Sequence, residues 1–244
     1  MVHLANRMSL QLRISAKNLG AVALNGFCPR CFWLRLHSDI PYQIFPGIFS
    51  SIDAYTKKII HGYFDSQGKP PTWLNELGDL KGYIAPPTYH KFKFVDDETN
   101  ILLTGSVDGV FVRGDGSHII VDYKTAKYTG AQDKLYKEYE AQLNGYALIG
   151  EKTGIVSPVS ALALIYMEPI TDDGAAANNI NLRGDGFAMG FKAAIHKVKL
   201  DTNIIPPLLR KVSEIYDLSS PPIGVEGCED CEAVDQLARY ARGG

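Results

Sequence analysis

Between residues 91 and 125 the chain reads KFKFVDDETNILLTGSVDGVFVRGDGSHIIVDYKT, and apolar residues there alternate with polar ones over three short runs. A period of two belongs to a strand with one buried face. The runs are interrupted at DDETN and at GDGS, both rich in residues that favour turns. The pattern predicts a three-stranded antiparallel meander.

The flanking sequence changes to a helical period. SAKNLGAVALNGF, with Ser15 as cap, and residues 48–64, with Ile48, Ile52, Tyr55, Ile59 and Tyr63 on one stripe, predict helices. A Gly/Pro-rich stretch at 65–90 reads as linker. After the meander, residues 131–154 predict an amphipathic helix ended by Gly154. VSALALIYMEP predicts a buried strand, GFAMGFKAAIHKVKL another, and DTNIIPPLLRKVSEIYDL a helix that starts on proline. Helix, meander, helix and strand in that order predict an α/β fold, a mixed central sheet flanked by helices.

The 244 residues, with 45% hydrophobic and 21% charged, suffice for one domain, 1–244, with a core of normal size. A formal charge of −2 excludes a global basic field, so any polyanion must be bound by a local groove. No apolar run reaches the ~18 residues of a membrane helix, and MVHLANRMSLQLR lacks the apolar core of a secretory signal. The expectation is a soluble cytoplasmic protein without membrane contact. The cysteines form two CxxC pairs, Cys28/Cys31 and Cys228/Cys231, one near each terminus. In a reducing compartment such pairs read as metal or cluster ligands before disulfides.

Three blocks carry chemistry: Gly105-Ser-Val-Asp108 on one expected strand, Asp122-Tyr-Lys124 on the next, and Gln142-Leu-Asn-Gly-Tyr146 on the following helix. Positions i and i+2 of a strand share a face, so Asp122 and Lys124 point together and Tyr123 away. A hairpin at GDGS can bring Asp108 beside Asp122, and Gln142 and Tyr146 are neighbours on a helix face. Two adjacent carboxylates need a cation. Mg²⁺ or Mn²⁺ suits them, with the backbone carbonyl of Tyr123 as a further oxygen ligand. Lys124 would orient water or offset charge on a phosphate. Taken alone, Asp122 and Lys124 are a strand-end ion pair, and Gln142 and Tyr146 are packing residues. Lys91, Lys93, Lys127, Lys134 and Lys137 line a phosphate groove or are solvated surface charges.

Read in order, GSVDGVFV, HIIVDYKTAK and YEAQLNGY resemble the PD-(D/E)XK nuclease superfamily, in its RecB-like branch. The resemblance implies a restriction-endonuclease-like fold, metal ligation by Asp108 and Asp122, catalysis assisted by Lys124 and a DNA-side role for Gln142 and Tyr146. That branch usually places a metal-binding His on an upstream helix, after Gly and five further residues. In Gly47-Ile-Phe-Ser-Ser-Ile-Asp53 this place holds Asp53, itself a suitable hard-cation ligand or a partner for Lys57; His61 lies two turns later. The implied activity is a divalent-metal-dependent DNA exonuclease acting from single-stranded or free ends, in DNA repair, recombination or CRISPR adaptation with protein partners. The alternative is a DNA-end-binding recombination module with a weakened or inactive site.

CPRCFWL adds a second resemblance, to the AddB-type and CRISPR-associated exonucleases of that branch. These carry an iron–sulfur cluster whose cysteines come from both ends of the nuclease domain. It implies that segments 15–36 and 224–241 meet and that Cys28, Cys31, Cys228 and Cys231 hold a 4Fe–4S cluster, with Zn²⁺ as the alternative. The relatives divide their cysteines one and three, whereas here the division is two and two.

Overall fold

The structure, a computed structural model, describes residues 11–38, 46–128 and 134–242. The first ten residues of the expected leaderless N-terminus, and 131–133 of the expected 131–154 helix, lie outside them. The strands are β1 (Arg13–Ser15), β2 (Leu80–Ile84), β3 (Lys93–Val95), β4 (Leu102–Thr104), β5 (Gly109–Arg113), β6 (His118–Lys124), β7 (Val159–Pro169), β8 (Leu182–Arg183), β9 (Gly186–Phe187) and β10 (Phe191–Val198). The helices are α1 (Ala16–Gly20), α2 (Pro29–His37), α3 (Gly47–Gln67), α4 (Tyr136–Thr153), α5 (Asp173–Ala177), α6 (Ile205–Tyr216) and α7 (Glu229–Ala241).

Both turn signals of the 91–125 segment form turns, but the meander is divided between two sheets. Asp96 accepts from the Thr99 backbone N–H in the first turn, and Asp115 accepts from that of Ser117 in the second. β3 and β4 pair with each other and join β1 in a three-stranded sheet, β1-β4-β3. β5 and β6 pair within a five-stranded sheet, β10-β7-β6-β5-β2. Residues 105–108, expected on a strand, are instead the connection from one sheet to the other. Two glycines permit it. A Cβ on Gly105 would lie 2.8 Å from Phe92 and 2.9 Å from Tyr146, and one on Gly109 would lie 2.8 Å from Val121. Alternation reports strands and faces but not which sheet a strand joins, which is why the sequence pattern reads as one meander.

The larger sheet is mixed: β6 and β7 are parallel, joined by the α4 crossover, and its other pairings are antiparallel. Its centre is buried on both faces, which accounts for the continuous apolar run of β7. Leu162, Leu164 and Tyr166 face a core shared with Leu143, Ala147 and Ile149 of α4 and with Leu209 and Val212 of α6. Ala163 and Ile165 face the opposite core, with Phe111, Val121, Tyr123 and with Ile60 and Phe64 of α3. Ser15 caps α1 by accepting from the Asn18 backbone N–H, as expected. Pro206 and Pro207 sit in the first turn of α6, where an absent N–H costs nothing.

Three other expectations are corrected. The 65–90 linker contains the end of α3 and all of β2, an edge strand of the main sheet whose short LKGYI pattern is masked by neighbouring Gly and Pro. GFAMGFKAAIHKVKL is not one strand: Gly186–Phe187 pairs with β8, and β10 begins at Phe191. On α3 the buried side is Thr56, Ile60 and Phe64, while Ile48, Tyr55, Ile59 and Tyr63 of the expected core stripe are exposed. The helix is apolar on two sides, so its period alone does not choose which one meets the sheet.

Candidate functional site

Asp122 and Lys124 project from the same face of β6, with Lys124 Nζ 2.6 Å from Asp122 Oδ2, while Tyr123 packs into the core on the other side. Asp122 is 3% exposed. Its Oδ1 accepts from Gln142 Nε2 at 3.1 Å, and the same amide donates to the Tyr146 hydroxyl at 2.8 Å. The i, i+4 pair on α4 is therefore a brace under Asp122. Asp108 arrives from the glycine-flanked connection, and its Oδ2 accepts from the backbone N–H of Tyr123 at 3.1 Å. Lys124 also lies over the Tyr139 ring, 4.0 Å from its centroid, which fixes the ammonium.

The third carboxylate comes from α3. Asp53 meets Lys57 Nζ at 2.8 Å, and the same ammonium reaches Asp108 Oδ1 at 3.1 Å. Lys57 thus bridges two carboxylates from opposite parts of the chain. The Asp53–Lys57 pair is a local i, i+4 contact visible in the sequence; its extension to Asp108 is tertiary.

Asp53, Asp108, Asp122, Lys124, Gln142 and Tyr146 line one cleft of about 690 Å³, together with Lys17, Phe49, Tyr89, Leu135, Glu138 and Tyr139, and Lys57 stands behind it. Four carboxylates, Asp53, Asp108, Asp122 and Glu138, against three ammonium groups, Lys17, Lys57 and Lys124, leave the cleft negative by one charge, which favours entry of a cation. Asp53 Oδ1 and Gln142 Oε1 are buried oxygens without a hydrogen-bond donor, and Asp122 Oδ2 meets only the Lys124 ammonium, at 2.6 Å. Orphaned acceptor oxygens around carboxylates fit a hard divalent cation. Burial pushes the Asp122 carboxyl up to about 6; Lys124 opposes the rise and Asp108 adds to it. Burial works against the charge of Lys57, but Asp53 and Asp108 outweigh it and raise its pKa.

The structure brings together Asp53, Asp108, Asp122, Lys124, Gln142 and Tyr146. His61 is not among the cleft residues; its ring stacks on Tyr83 with centroids 3.8 Å apart. Lys91, Lys93, Lys127, Lys134 and Lys137 are exposed and do not line the cleft. Lys17 and the aromatic wall of Phe49, Tyr89 and Tyr139 do, and no local motif announces them.

Away from the cleft lining, the two CxxC segments meet across roughly two hundred residues of sequence. Cys28 and Cys228 are the N-caps of α2 and α7, so Cys31 and Cys231 each stand in a first helical turn. The four sulfurs lie within 4.8 Å of one another, with Cys28–Cys231, Cys31–Cys228 and Cys31–Cys231 at 3.5, 3.7 and 3.3 Å. Among the described residues, only this set gathers three or more metal-ligating side chains so closely. Burial opposes ionisation of Cys28, yet backbone hydrogen bonds with Cys31 and Val225 and the neighbouring thiols bring it down to about 6. Burial pushes Cys31 and Cys231 up. Arg30 forks onto Asp235 and Arg35 reaches Asp230, tying α2 to α7 around the centre.

The family model of the PD-(D/E)XK nuclease superfamily matches residues 70–236. No curated protein matches the sequence significantly. Two solved structures are similar in outline. The crystal structure of SSO0001 has a TM-score of 0.45 at 12% identity, over 87% of this chain and 80% of that one. An alkaline exonuclease (LHK-Exo) from Laribacter hongkongensis has a TM-score of 0.36 at 15% identity, over 95% and 94%.

Proposed function

Because the chain belongs to the PD-(D/E)XK nuclease superfamily, we propose that it is a divalent-metal-dependent deoxyribonuclease that hydrolyses phosphodiester bonds from single-stranded or free DNA ends. The observation that carries this reading is the meeting of Asp108, Asp122 and Lys124 in one cleft among buried oxygens that lack donors. Asp108 and Asp122 would hold Mg²⁺ or Mn²⁺, with Asp53 and the carbonyl of Tyr123 as further oxygen ligands. When bound, the metal supplies a polarised phosphate and a more acidic water.

The chain's own groups do the rest. Lys124, held by Asp122 and by the Tyr139 face, presents an ammonium to charge developing on the phosphate. Gln142, backed by Tyr146, holds Asp122 in one rotamer, so both act on DNA through that carboxylate. The aromatic wall of Phe49, Tyr89 and Tyr139 suits unstacked bases, and Lys17 a backbone phosphate. That lining supports a single strand over a duplex. Four free thiols suit a reducing compartment, and we place the protein in the cytoplasm. The RecB-like affiliation, and work in DNA repair, recombination or CRISPR adaptation with protein partners, rest on the sequence resemblance.

End-labelled single-stranded DNA incubated with Mg²⁺, Mn²⁺ or chelator tests the proposal. Degradation should require the metal and disappear in Asp122→Ala and in Lys124→Ala; wild-type rates in both variants would overturn it. One observation favours a second reading, a DNA-end-binding module without turnover: Lys57 already occupies the space between Asp53 and Asp108. Tight binding to DNA ends with no cleavage even in Mn²⁺ would select that reading.

A further inference from the structure

We propose that the four-cysteine centre holds one tetrahedral zinc ion rather than the four-iron cluster implied by the sequence resemblance. Four thiolates on one zinc, each at about 2.3 Å, define a tetrahedron with edges of about 3.8 Å. The Sγ–Sγ separations of 3.3, 3.5 and 3.7 Å, with every pair inside 4.8 Å, are of that size. In a cubane each thiolate caps a different iron. Each sulfur pair is then separated by an iron–iron edge widened by two diverging bonds, giving roughly 6 Å. A two-iron cluster spreads its two cysteine pairs apart in the same way.

The surroundings oppose that expansion. Gly224 lies so near that a Cβ there would stand 2.7 Å from Cys231 Sγ and 3.4 Å from Arg30. The Arg30–Asp235 fork holds α7 against α2 from outside. Room for a cubane requires α2 and α7 to separate and that fork to open. The two-and-two arrangement also gives each cysteine pair one helix N-terminus, whose backbone N–H groups favour thiolate over thiol. Each thiol that ligates releases its proton to solvent. Cys231 is the one buried residue of α7. The zinc therefore closes a clamp that this helix, with so little apolar burial, does not close by itself.

The test uses the full chain purified anaerobically from cells supplied with excess iron, so that zinc does not win by default. We expect about one zinc per chain, negligible iron and acid-labile sulfide, and no absorbance near ~400 nm, where iron–thiolate charge transfer falls. Exchange with Co²⁺ should produce the visible ligand-field bands of a tetrahedral tetrathiolate. Stoichiometric iron, with or without sulfide, overturns the proposal, as does a folded chain that retains no metal. None of these measurements involves DNA cleavage, so they stand apart from the nuclease reading. Cys228→Ser, if it folds, should lose the tetrathiolate cobalt spectrum; an unchanged spectrum would also overturn the assignment.

Discussion

The carboxylate cleft and the cysteine centre both collect ligand atoms from distant parts of the chain, but the cleft sets two lysines directly on its acids whereas one arginine serves the thiols. Lys57 and Lys124 lie within 3.1 Å of carboxylate oxygens, so the cleft can fold around its acids before any metal arrives. At the cysteine centre the nearby cation, Arg30, forks onto Asp235 and also meets Cys231. Burial pushes Cys31 and Cys231 up, while backbone hydrogen bonds draw Cys28 down against it. A preassembled site whose acids are largely paired with lysines would couple metal to catalysis. A site built of thiols would couple metal to folding.

The largest expected effect separates these two couplings. Asp122→Asn keeps the shape of the side chain and removes its charge, and should lower cleavage by at least about a hundredfold, as removal of a charge-stabilising group does. The variant should retain its cysteine-bound metal and its fold. Loss of that metal together with activity would break the distinction between the sites.

Stripping the cysteine centre should do the opposite. A strong chelator is expected to cost on the order of several kcal/mol, a fraction of the binding energy of structural zinc. Limited proteolysis should then cut within 224–241, where apolar burial is sparse. A digestion pattern unaffected by chelation would show that the centre is not a clamp.

A smaller change is expected at Lys57. Replacing it with Met removes an ammonium that competes for Asp53 and Asp108, an interaction of about 1–4 kcal/mol at this range depending on the local dielectric. Mn²⁺ affinity measured by calorimetry should rise roughly tenfold or more. A weaker affinity would mean that Lys57 positions the carboxylates rather than blocking them.

The smallest effect lies outside both sites, at His61. Burial lowers the pKa of His61, with Asp65 opposing and Lys57 reinforcing the shift. The folded chain therefore resists its protonation. Its contribution is whole above the ordinary histidine value of ~6.5 and is lost as pH falls from there through the lower folded value. His61→Phe preserves the stack on Tyr83 and should flatten the fall in denaturant midpoint between pH 7 and 5. An unchanged slope would assign the acid loss to other groups.

Much of the cleft is legible in sequence because its chemistry is local. Asp122 and Lys124 share a face by strand geometry, Gln142 and Tyr146 by helix geometry, and GDGS closes the hairpin beside them. The partner of Asp122 on α4 follows once both periods are known. What escapes is what depends on docking. Alternation in 91–125 does not reveal that β3–β4 and β5–β6 enter different sheets. The period of α3 does not reveal that Ile60 and Phe64, rather than Ile52 and Ile59, meet the sheet. The reach of Lys57 to Asp108 depends on that choice, because only this docking turns its side chain toward the connection.

By itself the sequence determined residue types, periods and turns: two carboxylates and a lysine at strand and turn positions, a bracing helix, and two cysteine pairs. Those follow from interactions over a few residues. Tertiary structure alone decided that Asp53 and Lys57 join Asp108, that Phe49, Tyr89 and Tyr139 wall the cleft, and that the sulfurs stand 3.3–3.7 Å apart. These are distances between elements, and they are set by which apolar faces bury against each other, a global competition that no local pattern contains.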